Sequence, residues 1–295
     1  MKQALNEAAV FEFFTDLADY RFLQHALLTG LLASVACGII GSYVVTRRIT
    51  YIAGSIAHSV LGGLGAARYA QVVHGWHWFN PLYGAIAAAV AAAVIIGAVS
   101  LYAREREDTV IGAMWAIGMS AGILFIFKTP GYDQDLMSYL FGNILMVSAN
   151  DLRLIAMLDL VIVALTLVFY RTFLAVCFDE EFARLQGVPV ERYYLLLLCM
   201  TALTVVLLVT VVGIVMVIAL LTIPVAIAGN AVRRLGSLMI LSGILTACFT
   251  TGGLVISYSA DLPAGATTII IAGGIYFCVL VLTGVLPPPR FGKTR

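Results

Sequence analysis

His58 lies inside a long apolar run of this sequence and is surrounded by small residues. An ionisable side chain in a membrane-crossing segment is a candidate functional site, and small neighbours let helices approach closely or leave room for a pathway. The alternative is a neutral histidine hydrogen-bonded to a backbone carbonyl, with the glycines serving only helix packing. We expect Gly54 and Ser55 to line a pathway past His58. The small residues are Ala53, Gly54, Ser55, Ala57, Ser59, Gly62, Gly63 and Gly65.

A single imidazole offers weak and reversible metal binding. A closed tetrahedral shell of Cys and His would hold zinc as a structural element. Conduction needs binding that is favourable enough for the ion to enter and weak enough for it to leave. One imidazole with waters and carbonyls suits Zn²⁺, Fe²⁺ or Mn²⁺ better than Cu(I), which prefers Cys and Met.

Two other places carry candidate metal ligands. His74 and His77 are three residues apart and could bind a metal ion on one helical face. The aromatic residues beside them favour instead an interfacial aromatic belt with incidental histidines. Asp133 and Asp135 precede a short apolar run and could line the entrance to a pathway, although acids are common in exposed loops.

The composition is that of a membrane protein. Hydrophobic residues make up 62% of the chain and charged residues only 11%, whereas soluble domains carry about 25% charged residues. The net charge of +1 argues against a nucleic-acid-binding function. The five cysteines form no CxxC pair and are far apart, which indicates free thiols rather than a disulfide framework.

Nine apolar runs are long enough to cross a bilayer, which requires about 20 residues. The stretch 191–231 must contain two helices, and Val212-Gly213 is the expected turn. The run 135–148 is too short to cross and predicts a short or re-entrant helix. The fold class is therefore an all-α integral membrane protein with about eight or nine transmembrane helices. The runs are 24–46, 51–70, 81–103, 109–128, 151–176, 191–211, 213–231, 237–257 and 266–286.

The transmembrane part spans residues 23–287, between an N-terminal segment, 1–22, and a short tail, 288–295. Apolar residues recur at helical spacing in 1–22 with acids mostly opposite, which predicts an amphipathic helix at the membrane surface or, alternatively, a disordered segment. The acids also argue against a secretory signal peptide.

Basic residues in the connections predict the orientation. If Arg47 and Arg48 face the cytoplasm, alternation of the spans places 12 of the 17 Lys and Arg residues on that side. This asymmetry satisfies the positive-inside rule, with the N-terminus outside and the tail inside. The twelve are Arg47, Arg48, Arg104, Arg106, Arg171, Arg184, Arg192, Arg233, Arg234, Arg290, Lys293 and Arg295.

The longest polar connection, 178–190, falls on the cytoplasmic side. Acids at its start, apolar residues in its middle and a glycine near its end predict a short helix. Such a helix could dock into a groove of a soluble partner; an ordinary loop fits the pattern as well. The candidate contact residues are Asp179, Glu181, Phe182, Ala183, Leu185 and Gly187.

Motifs for enzymatic chemistry do not occur. Gly292-Lys293-Thr294 looks like the end of a phosphate-binding loop, but Pro287 stands where that loop requires its first glycine. HExxH and GxSxG are absent as well. We therefore expect no ATPase in this chain and no catalytic residues.

Four stretches resemble the permease subunits of ABC importers for zinc, manganese and iron. Residues 47–63 resemble the second helix of that family, and 135–152, 178–190 and 213–228 match it in the same order. The similarity covers nearly the whole chain. The resemblance implies the architecture of the vitamin B12 and siderophore permeases.

The resemblance also implies function and partners. The chain would be the permease of an ATP-binding-cassette importer in the cytoplasmic (inner) membrane of a bacterium, with the divalent ion as transported substrate and no permanently bound cofactor. Two permease copies would form a homodimer with two cytoplasmic ATPase subunits, whose grooves receive the coupling helix in 179–190. An extracytoplasmic metal-binding protein would deliver the ion.

One position departs from the family pattern. Many members read G-D-x-x-x-H in the second helix, and that aspartate and histidine are proposed to contact the ion in transit. Aligning on His58 places Gly54 at the aspartate position. Either another acid completes the site, or the ion passes with fewer protein ligands.

Two other functions fit parts of the pattern. A permease of the same architecture could carry a metal chelate or cobalamin, which needs a wider pathway and no protein ligand. An ion-coupled secondary metal carrier should show paired intramembrane acids or discontinuous helices in repeated halves. We find no convincing internal repeat, which favours the ATP-driven importer.

Overall fold

The computed structural model describes residues 13, 15–102, 107–130, 140–142 and 144–285, and the regular elements in these ranges are helical. Nine of the helices are long, and a short one lies between the fifth and sixth of them. In chain order they are α1 (Arg21–Thr46), α2 (Thr50–Val73), α3 (Pro81–Tyr102), α4 (Glu107–Lys128), α5 (Ala149–Phe178), the short α6 (Glu180–Leu185), α7 (Val190–Val212), α8 (Ile214–Ala231), α9 (Leu235–Ala260) and α10 (Ala264–Val285).

Within these described ranges, eight of the long helices are long and apolar enough to cross a membrane. The helix that does not meet this criterion is α2. Its 24 residues extend over about 36 Å, which exceeds the roughly 30 Å thickness of the hydrocarbon core. Its length therefore suffices, and what lowers its hydropathy is the histidine, the serines, Arg68 and the many glycines. The prediction of about eight or nine transmembrane helices is confirmed.

The predicted break between two helices in 191–231 is confirmed. Helix α7 ends at Val212 and α8 begins at Ile214. Gly213 between them has φ +85°, a backbone conformation that costs glycine little and other residues much more. The backbone of Gly142 packs directly on this turn. A side chain at Gly213 would therefore be excluded both by the backbone angle and by the contact.

Helix α2 lies inside the bundle. It packs mainly against α3 and α4, and also against α7. Helix α1 packs against α9, α5 and α8 on the other side of the molecule. Of the eight apolar helices, α1 and α7 are the most enclosed, whereas α4 and α10 expose most of their surface. The helix that carries His58 is thus covered on one side by a helix that is itself largely exposed.

The predicted terminal segments lie partly outside the described residues. Of the N-terminal segment, residues 15–19 are helical, and Asp16 accepts a hydrogen bond from the hydroxyl of Tyr258 in α9 at 2.5 Å. Six of the fourteen residues of the run 135–148, for which a short helix is expected, also lie outside them. Its described end is a 3-10 turn, Ile144–Met146, just before α5.

The predicted orientation can be tested by labelling single cysteines. His77 and Gln186 are both exposed and lie at opposite ends of the bundle. In a variant lacking the five native cysteines, we expect His77→Cys to react with an impermeant maleimide in intact cells, because its loop should be extracytoplasmic. Gln186→Cys should react only after the membrane is opened. Reaction of both from the same side would show that the orientation is wrong.

Candidate functional site

His58 is buried in the interior of α2, with 8% of its surface exposed. Its ring stacks on the indole of Trp115 from α4, with the ring centroids 4.4 Å apart and an angle of 21° between the planes. The Nδ1 atom has no hydrogen-bond partner among the described residues. In our alternative interpretation, the histidine is hydrogen-bonded to a backbone carbonyl. The Nδ1 atom makes no such bond in the described part of the chain. An unpaired buried ring nitrogen is costly and is free to bind a ligand.

Gly54 lies one turn before His58 and faces the same indole. A Cβ atom added at Gly54 would lie 3.0 Å from Cζ3 of Trp115, which is closer than ordinary van der Waals contact. Trp115 thus fills the space next to the position where other members of the resembled family carry an aspartate. A carboxylate at position 54 would need the indole to move.

Ser55 does not line an open pathway. Its side chain is buried, and its hydroxyl donates a hydrogen bond to the carbonyl oxygen of Ile111 at 2.9 Å. This bond ties α2 to the first turns of α4. Our expectation that Ser55 faces a pathway is therefore not supported by its contacts.

Small residues bring α2 and α4 into close contact on the other side of Trp115. A Cβ added at Gly62 would lie 2.9 Å from the carbonyl oxygen of Gly118, and one at Gly65 would lie 2.8 Å from that of Gly122. Backbones approach this closely only where side chains are absent or small. The two helices are therefore fixed to each other both before and after the His58–Trp115 contact.

Two cavities lie at the opposite ends of α2. A cavity of about 600 Å³ at the predicted outer end is lined in part by Leu64, and it is bordered by α5 and α7. A second cavity of about 380 Å³ at the predicted cytoplasmic end is lined in part by Ile52. His58 is six residues from each of these positions, or about 9 Å along the helix. Measured along the helix axis, the histidine therefore lies midway between Ile52 and Leu64, although it lines neither cavity itself.

The other two histidines among the predicted metal ligands do not join this site. His74 and His77 are exposed in the loop after α2, and the His74 ring contacts the rings of Tyr69 and Trp76 at centroid distances of 5.6 and 6.0 Å. This environment fits the aromatic-belt interpretation. Asp133 and Asp135 lie outside the described residues. Within the described residues, no three His, Cys, Asp or Glu side chains are grouped so as to hold a metal ion.

Asp159 is a buried acid that was not among the predicted site residues. It lies in the middle of α5 with 6% of its surface exposed, next to the backbone of Ala36 in α1, and neither carboxylate oxygen has a hydrogen bond of ordinary geometry in the described part of the chain. The signal was present in the sequence, since this acid interrupts the apolar run 151–176. An intramembrane carboxyl group is a candidate functional residue, but no contact in the structure connects it with His58.

The predicted coupling segment forms the short helix α6. The carboxylate of Asp179 caps it by accepting a hydrogen bond from the amide of Phe182 at 2.9 Å. Phe182 and Leu185 are exposed, with 52% and 87% of their surfaces accessible, and so is Glu181. Gly187 ends the segment with φ +77°. Phe182 and Leu185 together form an exposed apolar patch on α6, which we call the apolar knob.

Ala183 corrects one part of our prediction. It is buried within the chain, with 1% of its surface exposed, and packs against Val176 of α5 and Val190 of α7. It therefore holds α6 onto the bundle and does not face a partner. The sequence could not show this, because the side chains of one short turn point in every direction around its axis.

Charged contacts connect α6 with the rest of the cytoplasmic end. Glu180 forms an ion pair with Arg47, the residue that follows α1. The Arg47 guanidinium also lies 5.2 Å from the ring centroid of Tyr194 in α7. Three helices therefore meet at Arg47, immediately before α2 begins.

Comparison with known proteins agrees with this architecture. The family model described as "ABC 3 transport family" matches residues 19–283. A probable metal transport system membrane protein of Chlamydia muridarum is 42% identical over 257 residues, which is 87% of each chain. The manganese transport system membrane protein MntC of Halalkalibacterium halodurans is 33% identical over 90% of this chain and 88% of its own.

A solved structure is similar over the full length of the fold. It is PsaBC from Streptococcus pneumoniae in complex with Fab, with a TM-score of 0.82 and 28% sequence identity. The match covers 96% of this chain and 98% of the other. The arrangement of helices described above is therefore that of ABC transporter permeases.

Proposed function

The chain belongs to the ABC 3 transport family, and from this premise we propose that it imports a divalent metal ion past His58, with Mn²⁺ as the first candidate. It is the membrane-spanning permease subunit of an ATP-binding-cassette metal importer. Manganese comes first because relatives that are 32–33% identical are named for manganese transport. Zinc and iron remain candidates, because one imidazole binds each of these ions.

The placement of His58 carries the proposal for the ion's route. Its unpaired ring nitrogen lies in the first half of α2, between the residues of that helix that line one cavity at each predicted membrane face. An ion that crosses between the cavities would pass the imidazole. A single protein ligand supplemented by water binds weakly enough to release the ion again.

The partners follow from the same family role. ATP would be hydrolysed by cytoplasmic ATPase subunits, which dock on the apolar knob of α6 formed by Phe182 and Leu185. A second copy of the permease would complete the membrane part, and an extracytoplasmic binding protein would deliver the ion. The assembly would lie in the cytoplasmic membrane of a bacterium, and the unequal distribution of basic residues between the two ends of the bundle fits that placement.

The test is the ion dependence of ATP hydrolysis. The permease should be reconstituted in liposomes with its ATPase and binding protein, and hydrolysis should be measured with Mn²⁺, Zn²⁺, Fe²⁺ and, as a control, Ca²⁺. We expect at least one of the first three ions to stimulate hydrolysis and Ca²⁺ not to do so. A catalytically inactive ATPase subunit provides the background.

Two outcomes would point to the alternative functions. Stimulation by cobalamin or by a ferric chelate, and not by free ions, would identify a chelate permease. Metal uptake that follows a proton or sodium gradient without ATP would identify a secondary carrier. Either result would overturn the proposal.

A further inference from the structure

The indole of Trp115 covers the one face of α2 that carries both His58 and Gly54. It stacks on the imidazole at 4.4 Å and lies within contact distance of any side chain larger than hydrogen at position 54. Trp115 itself is partly exposed. The Trp115 side chain therefore covers one face of the His58 ring and is itself partly exposed on its other side.

We propose that Trp115 is a lid that controls access to His58 and determines that the site has a single protein ligand. The inference rests on the proposed function, in which His58 contacts the ion. In the closed arrangement of this structure, the indole takes the place beside the imidazole that an ion or a carboxylate would need. The lid has to move before an ion can bind.

The surrounding contacts define how the lid opens. Before Trp115, Ile111 of α4 accepts the hydrogen bond of Ser55 at 2.9 Å. After Trp115, a Cβ at Gly118 would lie 2.6 Å from Cα of Ser59, so the helix backbones touch there. Because α4 is fixed to α2 on both sides, opening requires rotation of the Trp115 side chain and not movement of the helix.

Gly54 is the residue that permits the closed position. With no Cβ, it leaves room for the edge of the indole. An alanine at position 54 would contact Cζ3 at 3.0 Å and would push the ring away from its present place. The glycine at the position of the family's aspartate and the tryptophan are then linked, because a side chain at position 54 would require the indole to shift.

The test measures the accessibility of position 58 without requiring transport. In a variant lacking the native cysteines, His58→Cys is reacted with a charged methanethiosulfonate reagent in the absence of ATP, with and without Trp115→Ala. We expect Trp115→Ala to accelerate the reaction severalfold, because it removes the side chain that covers position 58. Trp115→Phe should give an intermediate rate, and Gly54→Ala should also accelerate it.

Phe125→Ala is the matched control. Phe125 is an aromatic residue on the same helix that contacts Gly65 and Tyr69 of α2, ten residues beyond Trp115. If loosening of the α2–α4 contact exposed position 58, this variant would react as fast as Trp115→Ala. A lid predicts that only the changes at Trp115 and Gly54 accelerate the reaction. Size-exclusion profiles should be the same for all variants.

Three results would overturn the proposal. They are an unchanged rate in Trp115→Ala, equal acceleration in Phe125→Ala, and a thiol introduced by His58→Cys that does not react in any variant. These results leave the metal-import function untouched, because that function is judged by ion-stimulated ATP hydrolysis. Conversely, a lid can be confirmed here even if the transported species is not a free ion.

Discussion

His58→Ala should reduce metal uptake by the reconstituted importer at least tenfold while leaving the amount of folded permease unchanged. Loss of groups that merely support a metal ligand typically costs about 10–100-fold in affinity or activity, and loss of the ligand itself should cost no less. Stability should change little, because the lost ring contact with Trp115 is offset by removal of an unpaired buried nitrogen.

The matched control for this variant is His77→Ala. His77 is a candidate metal ligand in an exposed loop. Its loss therefore tests whether removal of a different histidine also reduces metal uptake. Uptake of radioactive manganese and thermal unfolding should be measured for both variants. If His58 were only a packing residue, His58→Ala would unfold at a lower temperature and transport normally per folded molecule. That pattern would remove His58 from the pathway.

Leu185→Asp should prevent the ATPase from binding and should abolish ATP-driven transport. With 87% of its surface exposed, Leu185 contributes little to the fold of this chain, so its apolar surface is available to a partner. A charge buried without a counter-charge costs several kcal/mol, and about 2.8 kcal/mol already lowers affinity a hundredfold. Co-purification of the ATPase with the permease measures the effect.

Leu262→Asp provides the same substitution on the opposite side of the bundle. Leu262 is exposed in the turn between α9 and α10, which the predicted orientation places outside. It should leave ATPase binding unchanged.

Ala183→Asp serves a different purpose. Because Ala183 is buried within the chain, this substitution should destabilise α6 itself. Normal ATPase binding by Leu185→Asp would show that α6 is not the coupling helix.

The fold was predictable from the sequence because the bilayer imposes simple rules. Spans of about 20 apolar residues must be helices in lipid, and the predicted run 191–231 had to contain a turn, which Gly213 provides. Helix α2 illustrates the limit of these rules. Its length is sufficient to cross the bilayer. Its polar and small residues lower its mean hydropathy, however, and it is therefore not among the eight helices that are apolar enough to be recognised as spans.

The candidate site was predictable only in part. His58 stands out because it is an ionisable residue among small ones. Trp115 could not be assigned to it, because the contact joins two helices that are far apart in the chain and aromatic residues are frequent in membrane helices. The inward orientation of Ala183 depends on how α6 packs against α5 and α7. Such contacts follow from tertiary packing and leave no local pattern.

The most direct test of the central claim is the position of the ion in the permease. Crystals of the permease with its ATPase subunits should be grown with Mn²⁺, and anomalous diffraction should be recorded at the manganese absorption edge, for the wild-type chain and for Trp115→Ala. We expect an anomalous peak at coordination distance from a ring nitrogen of His58 in the Trp115→Ala variant. A peak elsewhere among the helices, with none at His58 in either protein, would contradict it.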